Sequence, residues 1–100
     1  MDITKTVDGG ITSLTLSGRL DTLTSGELAK ELDDLFAVGV EKLIFDFAAL
    51  DYVSSAGLRV LLSAQKKISA AGAMMKITGA NENVKEIFEI TGFSSIMMVE

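Results

Sequence analysis

One hundred residues, 48% apolar and 23% charged, suit a single packed domain and exclude both a disordered chain and a two-domain one. The absence of cysteine and histidine excludes disulfides, thiolate and imidazole metal sites and the serine-histidine-aspartate triad, and a net charge of −5 without clustered basic residues argues against nucleic-acid binding. No apolar run approaches the roughly twenty residues that span a bilayer, and no export signal opens the chain, so no direct membrane insertion and a cytoplasmic location are expected.

In chain order, Ile3 to Val7 alternates apolar and polar residues, meets Asp8-Gly9-Gly10, and resumes at Ile11 with Leu14 and Leu16. That pattern predicts a β-hairpin with a glycine turn. Beyond Gly18-Arg19-Leu20-Asp21 the period becomes helical, with Leu28, Leu32, Leu35 and Phe36 on one face. Thr24 and Glu27 have the spacing of a capping box, and Gly39 stands where a left-handed carboxyl cap is expected. Lys42 to Phe47 is a short Leu, Ile and Phe run, expected to be a central strand covered on both faces.

A second helix is predicted to begin at Ser54-Ser55, to turn Leu58, Leu61, Leu62 and Ile68 inward, and to stop at Gly72. Lys76-Ile77-Thr78, with Met74-Met75 before it, reads as another strand, and Asn81 or Asn83 as the cap of a last helix bearing Val84, Ile87 and Phe88, which ends at Gly92. Ser95 to Val99 reads as a short edge strand. The order β-β-α-β-α-β-α-(β) predicts one α/β domain over residues 1–100: a mixed sheet with an antiparallel N-terminal hairpin, parallel central strands and about three helices. Met74-Met75 and Met97-Met98 read as core packing.

In a parallel sheet, strand carboxyl ends and helix amino termini meet at one edge, where unpaired N–H groups and the helix dipole favour negative charge. The segment Asp51-Tyr52-Val53-Ser54-Ser55-Ala56-Gly57-Leu58-Arg59 falls at that edge. Serine there serves equally as a helix cap or as a phosphate acceptor. Asp21 reads either as a turn residue or as part of this site, and Asp46 as a carboxylate accepting loop N–H bonds. Catalysis is not expected: a serine nucleophile needs a base, and no Ser-x-x-Lys arrangement surrounds Ser54 or Ser55. No Gly-x-x-x-x-Gly-Lys loop suggests a bound nucleotide, so neither cofactor nor metal is expected.

Three segments, Gly18-Arg19-Leu20-Asp21, Leu43-Ile44-Phe45-Asp46-Phe47 and Tyr52-Val53-Ser54-Ser55-Ala56-Gly57-Leu58-Arg59-Val60-Leu61, resemble in order and spacing the STAS domain of bacterial anti-sigma factor antagonists. The resemblance implies a binding module whose partner is an anti-sigma factor serine kinase. Phosphorylation of a serine at the head of the second helix would break that complex, and a partner-switching serine phosphatase would reset it. Ala56 stands where the best-known members carry the acceptor, which makes Ser55 the expected acceptor and Ser54 the alternative. The residues so implied in partner binding are Asp21, Thr22, Ser54, Ser55, Ala56, Gly57 and Arg59. Gly57 is expected to permit close approach at the helix head. The rival implication is a STAS subunit of a larger assembly, such as a lipid-transport complex, with no phosphate cycle.

Overall fold

In a computed structural model describing residues 1–100, the chain forms β1 (Asp2–Asp8), β2 (Ile11–Leu20), α1 (Ser25–Val38), β3 (Lys42–Val53), α2 (Ser55–Ala70), β4 (Met74–Thr78) and α3 (Glu82–Thr91). A single 3₁₀ turn (Phe93–Ser95) and β5 (Met98–Val99) complete it. The five strands lie in sequence order, β1 antiparallel to β2 and every later pair parallel, which is the mixed sheet expected from the element order. The last strand is shorter than Ser95 to Val99. Phe93 is buried in the core on a 3₁₀ turn that ends at Ser95, and the N–H groups of Ile96 and Met97 both turn back to the Phe93 carbonyl, so pairing with β4 begins only at Met98.

All three helices lie on the same face of the sheet. Along β2, β3 and β4 the buried side chains alternate, as Leu14 and Leu16, then Leu43, Phe45 and Phe47, then Met75 and Ile77. They join Leu28, Leu32, Leu35, Leu61, Ile68, Val84 and Phe88 from the helices in one core cluster. Side chains of opposite parity, such as Ser13, Thr15, Ile44, Asp46 and Lys76, line the other face and are only half-buried. The central strand is therefore covered on one face, not two. Its continuous apolar appearance comes from Ile44 alone among the outward positions before Asp46. The same alternation divides the methionines, with Met75 and Met97 in the core and Met74 and Met98 exposed.

Bulges in β3 shape the edge at which the site lies: Phe47 and Ala48 together stand against Leu16, and Asp51 is an extra residue between the partners of Gly18 and Arg19. Register shifts fall between Thr15 and Ser17 and again between Gly18 and Arg19, where Gly18 takes φ +100°, a conformation that L side chains rarely adopt. β4 ends its pairing at Thr78 opposite Asp46, yet β2 and β3 remain paired to Leu20 and Val53. β3 thus runs well past Phe47 as one side of a two-stranded extension. In that extension Leu50 and Val53 are buried, and Ala48, Ala49, Asp51 and Tyr52 are exposed. A three-residue spacing of that kind does not read as strand, because the bulges break the period of two.

Candidate functional site

Parallel pairing brings the carboxyl ends of β2 and β3 to the same edge, so the turn before α1 and the start of α2 are neighbours. The Ser54 N–H donates to the Leu20 carbonyl at 2.8 Å, tying the two together. At the head of α2, Ser54 is the N-cap with extended backbone, and its hydroxyl accepts from the Gly57 N–H at 3.2 Å. Ser55 is the first helical residue, exposed and outside the cap. Ala56 is half-buried behind it. No acidic residue lies in the first turn of α2, so nothing there offsets the positive end of the helix dipole.

Gly57 is buried and faces inward. A Cβ added to it would lie 2.7 Å from Leu20 Cγ and 3.1 Å from the Leu20 carbonyl oxygen. The close approach expected of this glycine is made by its own chain, so Gly57 seats α2 on the end of β2.

The turn before α1 is held from several sides. One Asp21 carboxylate oxygen accepts from the N–H of Leu23 and of Thr24, each at 3.0 Å, and from the Thr24 hydroxyl at 3.1 Å. The Asp21 N–H donates back to Thr24 Oγ1 at 2.8 Å, and that hydroxyl also lies 2.8 Å from the Arg19 carbonyl. This network displaces the expected capping box: Thr24 is the N-cap, but its hydroxyl makes no cap bond and its N–H is taken by Asp21, leaving Glu27 exposed. At the other end of α1, Gly39 has φ +103° with an extended ψ of 140°, outside the left-handed region expected of it, because the chain turns directly into β3.

Hydrogen bonds from the Thr24 N–H, above all, hold the Asp21 carboxyl below the usual carboxylate range, with smaller help from the Thr24 hydroxyl, the Leu23 N–H and Arg19. A carboxyl whose pKa is lower in the folded state stabilises the fold above its unfolded pKa and loses that contribution as pH falls through the folded one. Asp21→Asn should therefore lessen the loss of stability between neutral and acid pH, measured by denaturant unfolding across that range. An unchanged pH profile would show that the turn does not draw on the charge.

Thr22 and Leu23 form the exposed tip of this turn, Leu23 being 88% exposed. Beside it the Arg19 guanidinium lies 4.4 Å from the centre of the Tyr52 ring and 4.0 Å from Asp21. In the sequence Arg19 and Tyr52 stand out only as members of the segments named above, and Leu23 does not stand out. The only signal was an apolar residue inside a polar turn, which by itself is common. Arg59 is exposed one helical turn after Ser55, at the mouth of a groove between α1 and α2 lined by Ala29, Phe36 and Val60. Asp46 turns its carboxylate onto the Ala48 N–H at 2.9 Å, the local role expected of it.

The family model of the STAS domain matches residues 2–100. This chain is a STAS domain. A Bordetella bronchiseptica relative, BtrV, provisionally named an anti-sigma factor antagonist, is 32% identical over 99 residues, covering 99% of this chain and 85% of its own. A crystal structure from Thermotoga maritima, also provisionally named an anti-sigma factor antagonist, superposes with TM-score 0.92 at 18% identity, covering 97% of this STAS domain and 84% of that chain. The anti-sigma factor antagonist SpoIIAA in its unphosphorylated form matches with TM-score 0.79, at 15% identity over 99% of this chain and 87% of its own. The Bacillus cell fate determinant SpoIIAA in its phosphorylated form matches with TM-score 0.78, at 18% identity over 99% of this chain and 91% of its own. These names describe regulatory binding proteins, not enzymes. No helix of this STAS domain is long and apolar enough to cross a membrane.

Proposed function

We propose that this domain is an anti-sigma factor antagonist whose unmodified form binds an anti-sigma factor serine kinase, and that phosphorylation of Ser55 ends the complex. The observation that carries this reading is the different employment of the two serines. Ser54 holds its hydroxyl against the Gly57 N–H, whereas Ser55 is exposed on the adjoining surface and takes no part in the cap. Tyr52 on β3 and Thr22 and Leu23 on the turn before α1, all exposed at the same edge of the sheet, supply the mixed apolar and polar contact area that a protein partner needs.

In the modification, Ser55 Oγ attacks the γ-phosphorus of a nucleoside triphosphate bound to the kinase. Its proton passes to a base on the kinase, and a nucleoside diphosphate leaves. A serine phosphatase restores the hydroxyl by breaking the new phosphorus–oxygen bond with water. SpoIIAA resembles this chain almost equally in its unmodified and phosphorylated forms, which supports a switch that works at the surface without refolding the domain.

The test is incubation with the cognate kinase and nucleoside triphosphate, followed by peptide mapping by mass spectrometry. One phosphate is expected, on Ser55. Ser54→Ala should keep it while losing about 1 kcal/mol of stability with its cap. Phosphate on Ser54 would overturn the site, and phosphate on neither serine the mechanism.

A further inference from the structure

We infer that Arg59 is the intramolecular ligand of a phosphate on Ser55, clamping it along α2 when the domain is modified. The inference rests on Ser55 as the acceptor. Residues four apart on a helix have Cβ atoms about 5–6 Å from each other, and a helical side chain leans toward the amino terminus, so Arg59 reaches back over the turn that begins at Ser55. Both residues are exposed, which leaves them free to meet without rearrangement of the core.

The surrounding charges single out this arginine. Of the two arginines in the chain, Arg19 is already engaged, lying over Tyr52 at 4.4 Å and beside Asp21 at 4.0 Å. Arg59 makes none of the four salt bridges. Asp33, the carboxylate lining the same groove, is paired with Lys67 at 3.3 Å. No acidic side chain occupies the first turn of α2 to compete with a phosphate for the guanidinium. Asp51, exposed near the end of β3, Asp21, engaged by its own turn, and Glu27, exposed in the first turn of α1, are the other carboxylates on the elements that meet at this edge.

A guanidinium offers a planar pair of N–H donors that matches two phosphate oxygens, which a lysine at the same place would not. An Arg59 held in this way is withdrawn from the docking face. Modification would then change that face twice, by adding a dianion and by occupying a cation.

The experiment installs phosphoserine at position 55 of the whole domain during translation, with no kinase present, and follows its phosphorus resonance by NMR through the second ionisation. This reads the clamp whatever the kinase experiment above returns, so the two proposals fail separately. Phosphoserine loses its second proton near pH 6, and an attached arginine favours the dianion, so Arg59→Gln should titrate about 0.3 pH unit higher than wild type. Arg59→Lys should fall between them, and Arg19→Gln should match wild type to within about 0.1 unit. In the wild type the Arg59 Nε–H resonance should move downfield as the dianion forms. Coincident titrations of wild type and Arg59→Gln would overturn the inference, as would a shift produced by Arg19→Gln in its place.

Discussion

Ser55→Asp is expected to weaken binding of the anti-sigma factor kinase more than a hundredfold, while Ser55→Ala binds as tightly as the wild type. Ser55 is exposed on the proposed docking surface, so its side chain would be desolvated against the partner. A serine hydroxyl can enter such a contact and keep a hydrogen bond. A carboxylate or phosphate that loses its water there without a counter-charge costs several kcal/mol. About 3 kcal/mol suffices for a change of more than a hundredfold in affinity. The domain's own contribution works in the same direction: the positive end of α2 and the free Arg59 stabilise the anion on the unbound domain, adding to its preference for release. Titration calorimetry with the purified kinase measures the difference. Wild-type affinity for Ser55→Asp, with Ser55→Ala also unaffected, would place Ser55 outside the interface and overturn the proposed switch. A single carboxylate carries less charge than phosphoserine, so the phosphorylated domain should bind more weakly still.

Gly57→Val should destabilise the fold by about 3 kcal/mol, the upper part of the usual range for overpacking a closed site. The Cβ alone would stand 2.7 Å from Leu20 Cγ and 3.1 Å from the Leu20 oxygen. Leu20 is fully buried and cannot swing aside, and its carbonyl oxygen is fixed by the Ser54 N–H at 2.8 Å. Relief therefore requires α2 to lift off the end of β2, which would break the contact that brings the site together. For a domain of this length, such a loss lowers the melting temperature by about 15 °C, readily seen by calorimetry. Gly57→Ala brings the same Cβ and should also lose stability, though less than the valine variant, because it adds no γ-methyl groups and the better helix propensity of alanine, worth about 1 kcal/mol, offsets part of the clash. A Gly57→Val domain as stable as the wild type, but unable to bind its partner, would return this glycine to the docking surface.

Much of the fold was legible because its signals are local. The Gly9-Gly10 turn, the leucine spacing of α1, Ser54 before α2 and Asn81 before α3 are each decided within a few residues, and the alternation of strands with helices then dictates parallel pairing. Ser54 and Asn81 both cap as local reading allows, through bonds to Gly57 and Val84. The edge at which the site lies followed from the same order of elements, and the motif from Tyr52 to Leu61 pointed to the STAS family that the whole-chain match shows.

What the chain alone could not disclose depends on residues distant in sequence. Serine caps and serine acceptors have the same local appearance, and Ser54 is separated from Ser55 only by the cap bond that one makes and the other does not. The length of β3 depends on β2, which stays paired with it past both places where β3 bulges, since a strand continues only as long as its neighbour offers hydrogen bonds. The exposure of Leu23 follows from Asp21 and Thr24 closing the turn beneath it, and the displaced capping box follows from the same bonds. Gly57 is a point of close approach, but which surface approaches it is a matter of tertiary packing. Leu20 arrives there because the parallel register sets it opposite Val53, and a glycine in sequence carries no mark of the side chain that will fill its space.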